Sequence, residues 1–410
     1  MKILILSTFE RNGGAAVAAN RLMHALNKAG HEAKMLVRDK QTDDENVVSI
    51  NTNWLKKKLN FLRFAYERWV IFVQNRFSRK NLFAVSIANT GTDISYHPLV
   101  KAADIIHLHW VNQGFLSLKD IEKLTKLGKP IVWTMHDMCC FTGICHYVGT
   151  CNRYQMQCHD CSFLQHPTDN DLSLAVFEKK TFFTNKINYV GCSHWIAACA
   201  KQSSLLKNAA ITNIPNPIDI TQFQPIEKQA ARQKLMLPTG KKLILFASVK
   251  LSDTRKGMAY FVETCRQLAG SEIEIVFFGG QIDENIVHTI PLNTNHLGYL
   301  KTPADIAAAY SACDIFVIPS LEDNLPNTIM ESMACGTPCV GFDVGGIPEM
   351  IDHQKNGYVA QYKNAEDLAK GILFCLENNT ELSANAREKV LKTYAEDIVA
   401  QQYLNLYNGK

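Results

Sequence analysis

The chain has 410 residues, 47% of them hydrophobic and 20% charged. That composition excludes a single small module, a disordered polypeptide and a coiled coil, and it predicts two or three folded domains of about 150 residues each. Forty-three Lys and Arg stand against 39 Asp and Glu, a net of +4, too small over this length for a dedicated nucleic-acid binder. No window approaches the roughly 20 uninterrupted apolar residues of a membrane span. The apolar run 3–6 is too short for a secretory core, so a cytoplasmic chain is expected.

Short apolar or β-branched runs alternate with turns and helical periods through nearly the whole length. Strands are expected over 2–6, 33–37, 105–109, 131–135 and 187–192, and again over 242–249, 274–278, 315–318, 338–342 and 358–360. That alternation predicts an α/β chain with parallel sheets. Between the two sets, 211–225 holds Pro215, Pro217 and Pro225 and keeps neither period, which marks a boundary. The division is therefore 1–212, 213–385 and a tail, 386–410, that packs back across the domains. Two doubly wound sheets each offer loops at their strand C-termini, and a ligand is expected in a cleft between them.

In chain order, the first candidate is Gly13–Gly14, at the turn from the first strand into a helix, where backbone N–H groups can approach an anion or sugar oxygens. Next comes an insert over 51–80. It carries Lys56, Lys57, Lys58, Arg63, Arg68, Arg76, Arg79 and Lys80 against Glu67 alone, interleaved with Trp54, Phe61, Phe64, Tyr66, Trp69, Phe72 and Phe77. This basic, aromatic helix either attaches to an anionic membrane face or packs on the core with a solvated basic edge. His107 and His109 alternate along one strand and share a face, lining a cleft or forming a packed pair.

Seven of thirteen cysteines are scattered through apolar segments, as reduced core cysteines are. The other six crowd into a loop over 139–161. Within it Cys145, Cys151, Cys158 and Cys161 spell C-x5-C-x6-C-x2-C, spacing suited to a structural zinc; packed reduced thiols and oxidised disulfides are the alternatives. Asp169, Asn170 and Asp171 spell Asp-x-Asp in a polar loop that follows no strand, so no metal role is expected there. His194 and Trp195 open a helix after the strand 187–192.

In the second half, Lys250, Arg255 and Lys256 gather where the strand 242–249 ends, a diphosphate site or a solvated basic loop. After the strand 315–318, Asp323 or Asn324 is expected to cap a helix that begins at Pro326, with Glu331 in its second turn. A phosphate can rest on such an N-terminus while a carboxylate takes the vicinal hydroxyls of a ribose or hexose. A second glycine turn, Gly345–Gly346, leads to Pro348 and Glu349.

This last stretch resembles the donor-binding segment of family 4 glycosyltransferases, the retaining GT-B enzymes, whose pattern is Glu-x7-Glu followed by Gly-Gly-x-Pro-Glu. Asp323 and Glu331 have the spacing, with Asp in place of the first Glu. Lys250 and Lys256 match the family's Arg-x5-Lys clamp with Lys first; Asn12, Gly13 and Gly14 match its glycine loop, His136 its donor-sugar histidine, and Pro215, Asn216 and Asp219 its interdomain element. The run from His136 through His146 and Tyr147 is similar to the bacterial polysaccharide and O-antigen branch.

The resemblance implies two Rossmann-like doubly wound domains facing a central cleft. It implies retaining transfer of a hexose from a UDP- or GDP-sugar to a saccharide or lipid-linked saccharide, at the inner face of the cell membrane, with no metal needed for the chemistry. Lys250, Lys256 and Arg255 would stabilise the leaving diphosphate together with the helix start at Asn327 and Thr328. Glu331 would hold the ribose, while Asp323 and the backbone at Asn324 and Leu325 would hold the sugar. A GT-B-like nucleotide-sugar 2-epimerase and a catalytically silent nucleotide-sugar-binding subunit share the architecture.

Overall fold

A computed structural model describes residues 1–183, 186–250, 253–281 and 284–409; of Val249, Lys250, Gln281, Glu284 and Phe183 it describes the backbone alone. The chain forms two compact units, 1–215 with 399–410, and 216–398. Both divisions fall later than the expected 212 and 385, so the helix Asn379–Thr393 belongs to the second unit.

In the first unit, a parallel sheet is built among the described residues from β1 (Lys2–Phe9), β2 (Glu32–Asp39), β3 (Val47–Ser49), β4 (Ile105–Leu108), β5 (Ile131–Met135), β6 (Asn188–Gly191) and β7 (Ile211–Asn213), in the order β3-β2-β1-β4-β5-β6-β7. Successive side chains of a strand leave opposite faces. Ile3 and Ile5 therefore join one core with Met35 and Ile105, while Leu4 and Leu6 join the other with Leu36 and Ile106. Both faces are covered, as a parallel sheet requires. Residues from 399 onward complete the first of these cores through Val399, Tyr403 and Leu404.

The second unit repeats the plan with β8 (Lys242–Lys250), β9 (Ile273–Gln281), β10 (Thr294–His296), β11 (Ile315–Ile318), β12 (Cys339–Phe342) and β13 (Gly357–Ala360), ordered β10-β9-β8-β11-β12-β13. Ile244, Phe246, Ile275, Phe277, Val317 and Phe342 form the centre of its core. In each sheet the strand order reverses beside the first strand, next to β4 in one and β11 in the other. Loops at the carboxyl ends of those strands are the places where such sheets bind ligands.

The insert folds as the helix Trp54–Gln74, and its faces are inverted. Asn60, Glu67, Arg68 and Ile71 are its buried residues. Glu67 Oε1 accepts the N–H groups of Ile87 at 2.9 Å and Ala88 at 3.0 Å, with Arg68 Nη2 at 3.2 Å. Leu55, Leu59, Leu62, Tyr66 and Trp69, spaced as one helical stripe, are 49 to 59% exposed. Among the described residues, no helix is long and apolar enough to cross a membrane.

Candidate functional site

Three loops meet at the carboxyl ends of β8, β11 and β12. Lys250 closes β8, and its side chain lies outside the described residues. Beyond it Asp253 accepts the Arg255 N–H and pairs with the Arg255 guanidinium at 2.8 Å, which tightens the chain into a single turn, Thr254–Lys256. Gly257 follows in the left-handed region, φ 70°, and a Cβ there would lie 1.7 Å from the carbonyl oxygen of Pro319. Only glycine permits that approach. The Leu321 N–H donates to the Arg255 carbonyl at 2.7 Å, fixing the β8 and β11 loops together.

With the loops so held, Lys256 Nζ stands 2.8 Å from Asp323 Oδ2. The Asp323 carbonyl in turn accepts the Gly346 N–H at 3.2 Å. Gly345, φ 60°, brings its Cα so close that a Cβ would fall 1.9 Å from the same oxygen. Gly257 and the turn Gly345–Gly346 therefore both serve to seat the loop that carries Asp323.

Neither Asp323 nor Asn324 caps the following helix. It runs Asn327–Ala334 behind Pro326, without a side-chain cap, because the Asp323 carboxylate is turned to Lys256 and Asn324 and Leu325 are buried. A helix start without a side-chain cap offers N–H groups and a partial positive charge to an anion, and Thr328 lies in that first turn. Asn216 donates to Asn327 Oδ1 at 3.3 Å. Glu331, nearly buried in the second turn, accepts from the Tyr310 hydroxyl at 3.3 Å. Burial and the Glu331 charge together push the Tyr310 phenol well above its ordinary range. Sequence reasoning missed Tyr310, which lies on another helix and carries no motif. Lys256, Arg255, Asp323, Asn324, Leu325, Asn327, Thr328 and Glu331 are thus brought into one loop cluster.

The first unit has its own polar cluster at the ends of β4 and β5. His107, fully buried, meets Tyr407 at 2.7 Å and Thr134 at 2.8 Å, and Thr134 meets Tyr403 at 2.8 Å. His109 Nδ1 meets His136 Nε2 at 2.8 Å. Burial pushes His107 down to about 3 and His136 to about 4, and burial with the neighbouring rings holds His109 well below its ordinary value, so all three are neutral at pH 7. The His107–His109 pair is packed and hydrogen-bonded.

Burial alone would raise the Asp137 carboxyl. His146 Nδ1 at 2.6 Å, the Cys139 N–H at 2.9 Å and the Trp110 indole at 2.9 Å hold it below the usual carboxylate range instead. Asp137, Cys139 and His146 bring ligand atoms within 4.8 Å of one another. The second ring nitrogen of His146 meets Ser86 Oγ at 3.0 Å, so both nitrogens are engaged in hydrogen bonds and the trio reads as a relay of hydrogen bonds. Gly13, φ 91°, precedes the helix Gly14–Lys28 with open space where a Cβ would stand.

Cys145, Cys151, Cys158 and Cys161 line one cavity of about 20 Å³, and the Gly143 N–H donates to Cys158 Sγ at 3.2 Å. Among the described residues, no three of those sulfurs lie within 4.8 Å of one another, and no cysteine forms a disulfide. Asp171 caps the helix Leu172–Lys179 and also accepts the Cys161 N–H at 2.7 Å, while Asp169 pairs with His159 at 3.2 Å. His194 opens the helix His194–Gln202.

Residues 241–378 match the family described as Glycosyl transferases group 1. Over 198 residues, 47% of this chain and 52% of the relative, the sequence is 32% identical to N,N'-diacetylbacillosaminyl-diphospho-undecaprenol alpha-1,3-N-acetylgalactosaminyltransferase of Campylobacter jejuni. It is 21% identical over 194 residues, 45% of this chain and 50% of the relative, to the UDP-Gal:alpha-D-GlcNAc-diphosphoundecaprenol alpha-1,3-galactosyltransferase of Escherichia coli. The chain thus spans about half the length of the curated relatives it matches. Among solved structures, sucrose-phosphate synthase from Thermosynechococcus elongatus aligns with a TM-score of 0.70 at 18% identity, covering 100% of this chain and 98% of that one. HepE of Anabaena, solved with UDP, aligns with a TM-score of 0.66 at 16% identity over the whole of both chains. These structural likenesses establish the GT-B fold of two Rossmann-like parallel-sheet domains.

Proposed function

We propose that the chain is a retaining glycosyltransferase of family 4 that moves a hexose from a UDP- or GDP-sugar to a lipid-linked saccharide in bacterial surface polysaccharide synthesis. The observation that carries this reading is the Lys256–Asp323 pair, 2.8 Å apart, beside the uncapped helix start and Glu331 in the unit whose sequence matches group 1 glycosyltransferases. As the glycosidic bond breaks, negative charge grows on the leaving diphosphate. Lys256, Lys250 and the helix N–H groups at Asn327 and Thr328 stabilise that charge more than they stabilise the intact donor, which is what lowers the barrier. Glu331, held by Tyr310, takes the ribose hydroxyls, and Asp323 orients the sugar. The leaving phosphate oxygen receives the acceptor proton, so retention needs no covalent nucleophile. Relatives named for undecaprenol-diphosphate sugars support a lipid-linked acceptor, and the exposed stripe of the helix Trp54–Gln74, flanked by Lys56, Lys57 and Lys58, supports seating on an anionic membrane face.

The test is incubation with a panel of UDP- and GDP-sugars, with and without a lipid-linked saccharide. Nucleoside diphosphate release stimulated by acceptor, with retained anomeric configuration in the product, is the expected result. Conversion of the donor to its epimer, or binding without turnover, would replace the proposal with an isomerase or a silent subunit.

A zinc held by Cys145, Cys151, Cys158 and Cys161 is part of the same reading. The four line one small cavity, and His159, the neighbouring imidazole, is engaged with Asp169 and Arg153. The four thiolates would hold the zinc as a closed structural site and tie the loop together. Protein purified without chelator should carry about one zinc per chain, falling below about a tenth in Cys158→Ser. A folded wild type free of zinc ends the claim.

A further inference from the structure

A cavity of the first unit lies away from the histidine cluster, where β2 and β3 end against the helix Trp54–Gln74. It measures about 510 Å³, within the range of small-molecule sites. Its charge is lopsided. Asp39 is neutralised by Arg38, whose Nε lies 3.0 Å from Asp39 Oδ2. Lys40 donates to a carbonyl, that of Asp44 at 2.8 Å, and forms no ion pair among the described residues. Lys57 is exposed on the helix and forms no ion pair among the described residues. Two ammonium groups are left to face a ligand.

The remaining wall suits a sugar. Asn51 and Asn60 are joined by a 2.6 Å hydrogen bond, Ser49 and Asn51 donate to the Arg38 carbonyl, and Asn60 accepts from Arg63 and Thr92, so an ordered polar wall lines the same cavity as the rings of Phe61 and Phe64. Amides and hydroxyls for sugar oxygens, with aromatic faces for the C–H side of the ring, are the usual division of labour for a carbohydrate. Phe61 also belongs to the outer surface, 63% exposed, and the apolar stripe Leu55, Leu59, Leu62, Tyr66 and Trp69 runs along the same helix. One helix therefore presents a stripe fit for hydrocarbon and lines a cavity that is basic and sugar-compatible.

We infer that this cavity binds the diphosphate and adjoining sugar of an amphiphilic acceptor whose hydrocarbon chain stays in the bilayer beneath the stripe. A diphosphate diester carries two negative charges, matched by Lys40 and Lys57, and burying it against paired cations is favourable where an isolated charge would be costly. The inverted faces of the helix Trp54–Gln74 are thereby explained: its polar side builds the site and its apolar side meets lipid. The inference rests on the proposed transferase reading and adds to it the place and chemistry of acceptor recognition.

The experiment measures binding and transfer with a water-soluble short-chain prenyl diphosphate saccharide, no membrane present, for wild type and Lys40→Glu/Lys57→Glu. The variant's Kd and KM for this acceptor should rise on the order of tenfold to a hundredfold, while its affinity for the nucleotide, tested with UDP and GDP, stays within about twofold. Inorganic diphosphate should compete weakly and the same saccharide lacking diphosphate should bind both proteins equally poorly. If the variant binds and uses the short-chain acceptor as wild type does and loses only its attachment to anionic phosphatidylglycerol vesicles, the lysines serve the bilayer surface alone and the inference is overturned. Transfer that proceeds with an unchanged KM sinks the inference and leaves the transferase reading standing. Charge-dependent binding with no transfer does the reverse, and absence of both binding and transfer removes both.

Discussion

Alanine at position 256 is expected to lower kcat by about 10² to 10³, the scale for removing one group that stabilises developing charge. The expectation comes from where the ammonium sits. The Lys256 side chain is 34% exposed and its Nζ lies 2.8 Å from Asp323 Oδ2, so it is positioned before any donor arrives and needs little reorganisation to meet a phosphate oxygen. Arg255 is poorly placed to substitute, because its guanidinium is drawn to Asp253. Removing the lysine also leaves the Asp323 carboxylate facing the diphosphate without its cation, so donor affinity should fall as well. Lys256→Ala/Asp323→Ala should recover part of that affinity but none of the rate, a coupling that a double-mutant cycle reads directly. Lys256→Arg should fall between the two. The pair is partly solvated, so its loss should shift unfolding by less than about 1 kcal/mol, which separates a catalytic defect from a folding one. A Lys256→Ala enzyme with unaltered kcat would take this residue out of the mechanism.

The strands that carry the site were readable because they are central. β1, β4, β5, β8, β11 and β12 are covered on both faces, and that burial demands the unbroken apolar runs by which strands are recognised. The three that escaped notice, β3, β7 and β10, are edge strands of three residues each. They pair on one side only and carry exposed or half-exposed residues such as Thr212 and Asn295, so no run is required of them; β7 lies inside 211–225, where the sequence keeps neither period.

The helix Trp54–Gln74 is expected from the pattern, with its aromatic side either at a membrane face or on the core. Amphipathic reading assumes the apolar face turns inward, and here Glu67 and Arg68 are buried because the backbone N–H groups of Ile87 and Ala88 and the carbonyls of Leu82 and Val85 need partners from 14 to 21 residues away. In the same way the spacing of Lys256, Asp323 and Glu331 was legible, while the contact between Lys256 and Asp323, 67 positions apart, and the hold of Tyr310 on Glu331 exist only once β8 and β11 lie side by side.

Acid should loosen the first unit well before its carboxylates titrate. His107 at about 3, His136 at about 4 and His109 well below its ordinary value are all depressed from 6.5, chiefly by burial. The folded chain keeps these rings neutral, while the unfolded chain binds protons as pH drops below about 6.5. Their contribution is therefore fully present above that pH and is lost progressively between about 6.5 and about 4, at about 1 kcal/mol per pH unit for each ring, or about 3 to 4 for the three together. The groups around them do not rescue the charged forms: His107 faces Tyr407, Thr134 and Tyr403, and Asp137, which favours a charged His136, is itself held by His146 and Trp110. Carboxylates with lowered values, Asp93 at about 2 among them, lose their native interactions only at lower pH. All five tryptophans lie between positions 54 and 195, inside the first unit, so their fluorescence follows its unfolding alone. The urea midpoint read this way should fall steeply from pH 7 to pH 5, and His107→Gln, which keeps one donor and one acceptor without titrating, should reduce that slope by about a third. A midpoint that stays level across this range would show that the three rings are not held neutral, and with it would go the reading of β4 and β5 as a packed, uncharged histidine core.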